Sequence, residues 1–271
     1  MVLLEVKNLK VWDTRNNEVI IKNNSFSVKE NRCLAIVGES GSGKSMTCKS
    51  IMRLNKPWIE ASGNVLFKGK DIFNLPNTKM RKLCGKNIAM IMQNGMSAFD
   101  PSSTIGVHLR ETLWEHYGWD KKHADEAMVQ SMESIMLKNP KEILKKYPHQ
   151  LSGGMLQRIM IALTLVLEPD VIIADEPTTA LDTITQFEVI HQFVSLRKRT
   201  KSSMIFISHD LGVVKKIADD VIVMQDGCIV ESGTLSEIFK NPKNNYTRYL
   251  ISTREELGNK YKKMLGGGIG C

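Results

Sequence analysis

Short apolar runs separated by polar breaks occupy the first 37 residues. Three strands are predicted at residues 4–6, 18–21 and 25–28, because each is a brief apolar segment bounded by polar, turn-forming residues. A further run at 33–37 is apolar throughout and ends at Gly38, which is typical of a strand buried on both faces of a sheet. The N-terminal region is therefore predicted to be rich in β-structure.

Helical patterns dominate the middle of the chain. Residues 44–54 fit a helix that has apolar positions available for packing. Residues 97–168 carry long helical stretches, such as 108–117 and 124–136, and few strand signals. This region is predicted to be a helical insertion.

Strand patterns return in the last third of the chain. The runs at 171–174 and 204–207 are apolar throughout, as in buried strands. Asp226-Gly227 separates two further apolar runs, 221–224 and 228–230, and Asp-Gly favours a hairpin turn. The whole pattern predicts an α/β core that is interrupted by helices.

Composition and charge narrow the class of protein. The chain has 271 residues with a formal net charge of +8, 42% hydrophobic and 24% charged residues, which excludes extensive disorder. No apolar run reaches the roughly 18 residues of a membrane span, and we expect no secretory signal at the N-terminus. The five cysteines are widely spaced, which favours reduced thiols over disulfides or a metal site. The basic residues are dispersed without interleaved aromatics, so nucleic acid is not an expected partner.

A glycine-rich sequence with the pattern G-x-x-x-x-G-K-[ST] lies between the 33–37 strand and the 44–54 helix. Its glycines allow the backbone to wrap around phosphates, and the helix N-terminus favours negative charge. Lys44 is expected to reach the β- and γ-phosphates, and Ser45 to ligate Mg²⁺. The predicted nucleotide-binding residues here are Gly38, Ser40, Gly41, Ser42, Gly43, Lys44, Ser45 and Met46. Alone, the motif does not distinguish kinases, GTPases and transporters.

Two acidic residues follow the apolar run at 171–174. Asp175 suits the shell of a Mg²⁺ ion, and Glu176 is placed to act as a general base on an attacking water. Two acids at the end of a strand are often only solvated. Together with the phosphate loop, however, they predict a site for nucleotide hydrolysis.

A second phosphate-binding turn is predicted at Ser152, Gly153 and Gly154, because these residues precede an apolar helix at 159–166. One site needs one such turn, so a second one implies a composite site. At this point the sequence resembles the ATPase subunits of ABC transporters, whose signature motif binds the γ-phosphate of ATP held by the opposite subunit. The resemblance covers roughly residues 3–250.

The resemblance implies a fold and a division of the chain. The expected fold class is α/β, with a RecA-like P-loop NTPase core, an N-terminal antiparallel β-subdomain and an inserted α-helical signature subdomain. The ATPase domain is expected at 1–252, with its core at 1–96 and 167–252 and the helical subdomain at about 97–166. Residues 253–271 are expected to form a mobile, glycine-rich tail.

The resemblance also implies roles for single residues. Gln93 matches the Q-loop, which in the family contacts Mg²⁺ and links to the membrane subunit. Residues 179–182 match the D-loop at the dimer interface, and His209 matches the switch histidine that contacts the γ-phosphate. The implied catalytic residues are Glu176 and His209, and the implied Mg²⁺ ligands, acting together with ATP, are Ser45, Gln93 and Asp175.

Adenine in this family usually stacks on an aromatic residue of the early strands. Trp12 is the nearest candidate, although alignment with the family favours the position of Asp13. Adjacent strand residues face opposite sides of a sheet, so only one of the two can face the nucleotide. The alternative for Trp12 is a half-exposed surface aromatic.

Several details resemble the peptide and nickel importers of the family. Ser97-Ala98-Phe99 follows Gln93, Met155 replaces a commoner glutamine, and Asn241-Pro242 is followed by Tyr246-Thr247 and Leu250. Gly95 departs from this branch, in which a proline is common at that position. The nickel and metallophore importers resemble these sequence motifs most closely. The expected cargo is therefore nickel or a related metal or metal chelate, and the alternative is a di- or oligopeptide. A soluble ABC-type ATPase acting on nucleic acid is an alternative from another class.

The resemblance implies partners and a location. We expect a heterodimer with a second, homologous ATPase, two membrane permease subunits and an extracytoplasmic substrate-binding protein, at the cytoplasmic face of the cell membrane. Residues 94–106 are expected to dock a permease helix through an exposed Phe99. The histidines, including His116 and His123, are expected to be surface residues and not nickel ligands. Only Cys271 follows residue 250, so no iron–sulfur cluster is expected.

Overall fold

The computed structural model describes residues 1–179 and 183–253. In these ranges the chain forms an antiparallel sheet, a mainly parallel sheet and a set of helices. The predicted D-loop residues 180–182 and the predicted tail from residue 254 onward, with Cys271, lie outside the described residues. Within the described ranges, no helix combines the length and the apolar character needed to cross a bilayer.

The antiparallel sheet is built from the N-terminal part of the chain. Its strands, in the spatial order β2-β1-β4-β5, are β1 (Val2–Asp13), β2 (Glu18–Lys29), β4 (Ile59–Phe67) and β5 (Lys70–Asp71). The predicted short strands were wrong in their lengths, because β1 and β2 each run for 12 residues. The polar residues at 7–8 and 22–23 lie at register shifts inside the strands and not at strand ends. One shift lies between Val6 and Leu9, where Asn8 adopts a φ of 50°.

The second sheet carries the buried runs. Its strands are β3 (Cys33–Val37), β6 (Ile88–Ile91), β7 (Val171–Asp175), β8 (Ser203–Ile207), β9 (Asp220–Gln225) and β10 (Cys228–Thr234), in the spatial order β10-β9-β3-β8-β7-β6. The pairs from β9 to β6 are parallel, and β10 is antiparallel to β9. Because the carboxyl ends of parallel strands meet at one edge of a sheet, residues that follow β3, β6, β7 and β8 lie near one another.

The helices fall between and around the strands. They are α1 (Lys44–Ile51), α2 (Asn77–Leu83), α3 (Ile105–Tyr117), α4 (Lys121–Ser134), α5 (Pro140–Ile143), α6 (Gly153–Leu167), α7 (Thr183–Thr200), α8 (Leu211–Ile217) and α9 (Leu235–Lys240). Short 3-10 helices occupy Gly95–Ala98 and Pro148–Gln150, and residues 245–253 are also helical. The predicted helical insertion corresponds to α3–α6, which lie between β6 and β7.

Three apolar clusters hold these elements together. One joins α3, α4 and α6 to α7 and to the central strands, the second fills the space between the two sheets and α1, and the third lies under α8, α9 and the C-terminal helix. The predicted α/β fold class, with an N-terminal antiparallel sheet and an inserted helical region, is confirmed. The domain boundaries at residues 97, 166 and 252 stay predictions.

The predicted exposure of Phe99 was wrong. Phe99 is only 8% exposed and packs in the cluster of the helical region, with its ring 5.5 Å from the ring of His108 in an edge-to-face contact. Burial of this large apolar ring outweighs its place in a surface loop. His116 and His123 lie in different helices, because Gly118 ends α3 with a φ of 68°.

Candidate active site

The phosphate loop leaves the carboxyl end of β3 and enters α1. Gly41 and Gly43 have φ angles of 83° and 97°, in the left-handed region that favours glycine. A Cβ atom at Gly43 would overlap the Cδ1 atom of Ile21, which is fully buried in β2. The loop therefore presents backbone groups at this point, as a phosphate-binding loop requires.

Lys44 lies inside the loop with only 4% of its surface exposed. Its Nζ atom donates to the carbonyl oxygens of Gly38 at 3.0 Å and Glu39 at 2.7 Å. Burial lowers the pKa of Lys44, and the neighbouring carboxylates of Glu176 and Asp175 oppose this effect. Phosphate oxygens entering the loop would replace neutral carbonyl partners with anionic ones, so the loop fits a polyphosphate.

A hydroxyl and a carboxylate meet at the end of β7. The Ser45 Oγ atom donates to Asp175 Oδ1 at 2.6 Å. Burial raises the pKa of Asp175, while the hydrogen bond from Ser45 lowers it. Oxygen donors of this kind, with one carboxylate among them, are the protein ligands that Mg²⁺ takes beside phosphate oxygens and water. The pair therefore fits a Mg²⁺ ion.

Glu176 is the meeting point of three loops. Its Oε2 atom accepts hydrogen bonds from Thr179 Oγ1 at 2.9 Å and Gln93 Nε2 at 3.2 Å, and it lies 3.4 Å from His209 Nδ1. Gln93 follows β6, Glu176 follows β7 and His209 follows β8, as the parallel order of the sheet requires. The structure thus brings together a carboxylate that can accept a proton, an amide and an imidazole.

Ser152 begins the apolar helix α6. It is the N-cap residue, and its side chain accepts a hydrogen bond from the Met155 N–H at 3.3 Å. Ser152 and Gly153 are exposed, and Gly154 is buried. No hydrogen bond found among the described residues joins this turn to the phosphate loop. The turn is therefore presented at the surface.

Gln93 is linked to α6 through the 3-10 helix that follows it. A Cβ atom at Gly95 would lie 2.9 Å from Leu156 Cβ and 3.4 Å from the backbone nitrogen of Gln157. Both of these partners belong to the first turns of α6. The backbone of the segment after Gln93 therefore packs directly against α6, the helix that Ser152 caps.

Trp12 lies in β1, and Met46 lies in α1 directly after Ser45. In β1, Val11 and Asp13 are buried while Lys10 is exposed and Trp12 is half-buried, so Trp12 is on the outer face with Lys10. The Lys10 Nζ atom lies 5.9 Å from the centre of the Trp12 ring. Met46 packs partly against the cluster between the sheets. A role of Trp12 in stacking adenine stays a prediction.

Two contacts at the site had no assigned role in the sequence analysis. The Thr179 hydroxyl binds Glu176, and its spacing of three residues in the same loop is a local signal that could have indicated it. Tyr246 contacts the phosphate loop through the N–H of Glu39 at 3.0 Å. Those two residues are separated by most of the chain, so no local pattern predicts their contact.

The family model described as ABC transporter matches residues 21–179, which include the phosphate loop, Asp175 and Glu176. This chain belongs to the ABC transporter family. Its expected fold is shared by the ABC transporter cassette MJ0796, solved as a dimer bound to ADP and phosphate, with a TM-score of 0.75, 25% identity and coverage of 86% of this chain and 99% of that one.

Curated relatives of this ABC subunit are ATP-binding proteins of transport systems. The metal-staphylopine import system ATP-binding protein CntD of Staphylococcus aureus is 45% identical over 269 residues, 99% of each chain. The dipeptide transport ATP-binding protein DppD of Bacillus subtilis is 42% identical over 259 residues, 94% of this chain and 77% of that one. Membership of this family makes the chain an ATP-binding ABC ATPase.

Proposed function

We propose that this ABC ATPase powers the import of a metal chelate, with nickel among the metals, across the cytoplasmic membrane. The observation that carries the proposal is the 45% identity to a metal-staphylopine import ATPase along 99% of both chains. The proposed location is the cytoplasmic face of that membrane, where the ATPase would act as a peripheral subunit.

The second candidate cargo is a peptide. Dipeptide and oligopeptide transport ATPases of Bacillus subtilis are 42% and 41% identical to this chain, so the motor is nearly as similar to theirs. The site described above is proposed to bind nucleotide and not cargo. Cargo must therefore be distinguished by the other subunits of the importer.

Lys44 and the loop amides are proposed to bind the phosphates of ATP. On binding, the Lys44 ammonium exchanges the carbonyl oxygens of Gly38 and Glu39 for phosphate oxygens. Ser45 and Asp175, with Gln93, are proposed to hold Mg²⁺, which when bound supplies positive charge at the phosphates. The Ser45–Asp175 hydrogen bond keeps both ligands in place before the ion arrives.

Glu176 is the proposed general base. Its carboxylate is held by Thr179 and Gln93, so it can orient a water and accept its proton without first reorganising. His209, beside the same oxygen, is proposed to donate to the γ-phosphate and to stabilise the charge that develops there. The two side chains thus act on opposite partners of the reaction, water and phosphate.

The exposed turn at Ser152, Gly153 and Gly154 is proposed to close the ATP site of a second, homologous ATPase. Its own phosphate loop would be closed in turn by the partner's equivalent turn, which gives a heterodimer with composite sites. Two permease subunits and an extracytoplasmic binding protein would complete the importer.

With Phe99 buried, a different surface is proposed to dock the permease. A groove of about 870 Å³ is lined by residues 52–54, which follow α1, and by residues of α2 and α3. Leu54 and Trp114 line it and are 53% and 64% exposed, although both are large and apolar. Arg53, Arg81 and Glu115 lie in the same groove, so an amphipathic helix with both charges fits it.

The test is uptake in a strain from which the gene has been deleted. Nickel-63 complexed with staphylopine and a carbon-14 dipeptide are supplied separately, and the strain is complemented with the wild-type gene or with Lys44→Ala. We expect chelate uptake to be lost on deletion and restored by wild type alone, with dipeptide uptake unchanged. Loss of dipeptide uptake with normal chelate uptake would reverse the choice of cargo.

A further inference from the structure

We propose that Tyr246 is a positioning residue of the nucleotide site, which sets the phosphate loop through one peptide group shared with Lys44. The inference rests on the proposed role of this loop in binding ATP. It assigns a function to the C-terminal helix at residues 245–253, which otherwise lies outside the site.

One peptide group joins Tyr246 to Lys44. The N–H of Glu39 donates to the Tyr246 hydroxyl oxygen at 3.0 Å. The carbonyl of Gly38, at the other end of the same peptide bond, accepts from Lys44 Nζ at 3.0 Å. Hydrogen bonds on both ends of a peptide polarise it in the same sense, so each strengthens the other. The position of the first peptide of the loop therefore depends on the Tyr246 hydroxyl.

Tyr246 is itself fixed by contacts that do not involve the loop. Its N–H donates to Asn244 Oδ1 at 2.8 Å, and the carboxylate of Glu231 in β10 accepts from the N–H groups of Lys243 at 2.7 Å and Asn244 at 3.1 Å. The ring packs partly against the apolar cluster under α8 and α9. The hydroxyl is thus held in place by the sheet edge, and the loop is positioned against it.

The ring and the hydroxyl have separable roles. The ring contributes to the apolar cluster, so its loss would change stability, whereas the hydroxyl contacts the N–H of Glu39. Glu39 is exposed, and water can solvate its N–H when the hydroxyl is removed. Tyr246→Phe should therefore leave the fold intact and release only the first peptide of the loop.

The experiment compares Tyr246→Phe with Tyr249→Phe in the full chain. Tyr249 is 58% exposed on the same helix and loses the same atom, so it is the matched control. We measure the Kd for ATP by calorimetric titration, the KM and kcat for ATP hydrolysis, and the Tm without nucleotide. In Tyr246→Phe we expect Kd and KM to rise by about three- to tenfold, the value of one hydrogen bond, with kcat and Tm unchanged.

Three results would overturn the proposal. The first is an ATP affinity in Tyr246→Phe that equals or exceeds that of the wild type, and the second is the same loss of affinity in Tyr249→Phe. A drop in Tm that accompanies the loss of affinity would mean that the hydroxyl is structural, which also overturns it. Failure of the wild-type protein to bind ATP would instead contradict the proposed function of the loop.

Discussion

Replacement of Glu176 by glutamine should separate ATP binding from hydrolysis. The Oε2 atom of Glu176 now accepts from Thr179 at 2.9 Å and Gln93 at 3.2 Å, and the carbonyl oxygen of a glutamine can take both bonds. The side chain would then keep its place, and only its ability to accept a proton would be lost. Lys44 and the loop are untouched, so the Kd for ATP should stay within twofold.

The size of the loss follows from the role of a general base. Positioned bases contribute about 10²–10⁴-fold to a rate, which corresponds to about 2.7–5.4 kcal/mol in the barrier. We expect the rate constant for hydrolysis to fall by a factor in this range, as measured in single-turnover assays with ATP labelled at the γ-phosphate. Glu126→Gln is the control, because it makes the same change at an exposed position of α4. A kcat within tenfold of wild type in Glu176→Gln would refute the assignment.

The same variant tests the composite site. Slow hydrolysis should trap the closed state, so Glu176→Gln mixed with ATP and its partner ATPase should elute as a dimer in size-exclusion chromatography. The wild type under the same conditions should be largely monomeric after hydrolysis. A strictly monomeric variant in the presence of ATP and partner contradicts a site shared between two chains.

Three further predictions concern stability and docking. Asp175→Asn should raise the Tm of the nucleotide-free protein at pH 7.5 by a few degrees, about 1 kcal/mol, because burial raises the pKa of this carboxyl and asparagine still accepts from Ser45. The gain should fade as the pH falls through that raised pKa, since the native carboxyl is then also neutral; a gain that grows in acid would contradict the reasoning. Gly43→Ala should lower the free energy of unfolding in urea by about 2–5 kcal/mol through a positive φ and a buried clash, against about 1–2 kcal/mol for Gly41→Ala, which meets no atom within 4 Å; equal losses would exclude the clash. Trp114→Asp should reduce copurification with the permease by about tenfold or more while basal ATPase activity and Tm stay constant, and full copurification would exclude the groove.

The parts of the site that were predictable are those encoded by neighbouring residues. The glycine pattern from Gly38 to Ser45 and the acids after β7 are local, and the parallel sheet brings them to one edge whatever the details of packing. The hydrogen bond between Ser45 and Asp175 is a direct consequence of that order. The buried runs of β3, β7 and β8 were predictable for the same reason, since a strand covered on both faces is apolar along most of its length, and here the polar residues Asp175 and Ser203 stand only at strand ends.

The features that were missed depend on contacts between distant parts of the chain. Polar residues such as Asn8 look like strand ends in the sequence, but in the pairing of β1 with β2 they lie at register shifts inside the strands. Phe99 stands in a loop whose sequence gives no sign of the apolar cluster beneath it. The contact between Tyr246 and Glu39 joins two ends of the chain, and no periodicity encodes such a pair.

The close approach at Gly95 has a mechanical consequence. There is no room for a side chain between the segment after Gln93 and the first turns of α6, because a methyl group at Gly95 would already press on Leu156. The backbone at Gly95 therefore lies directly against Leu156 and Gln157 of α6. Movement of the segment that follows Gln93 would press on the first turns of the helix that Ser152 caps.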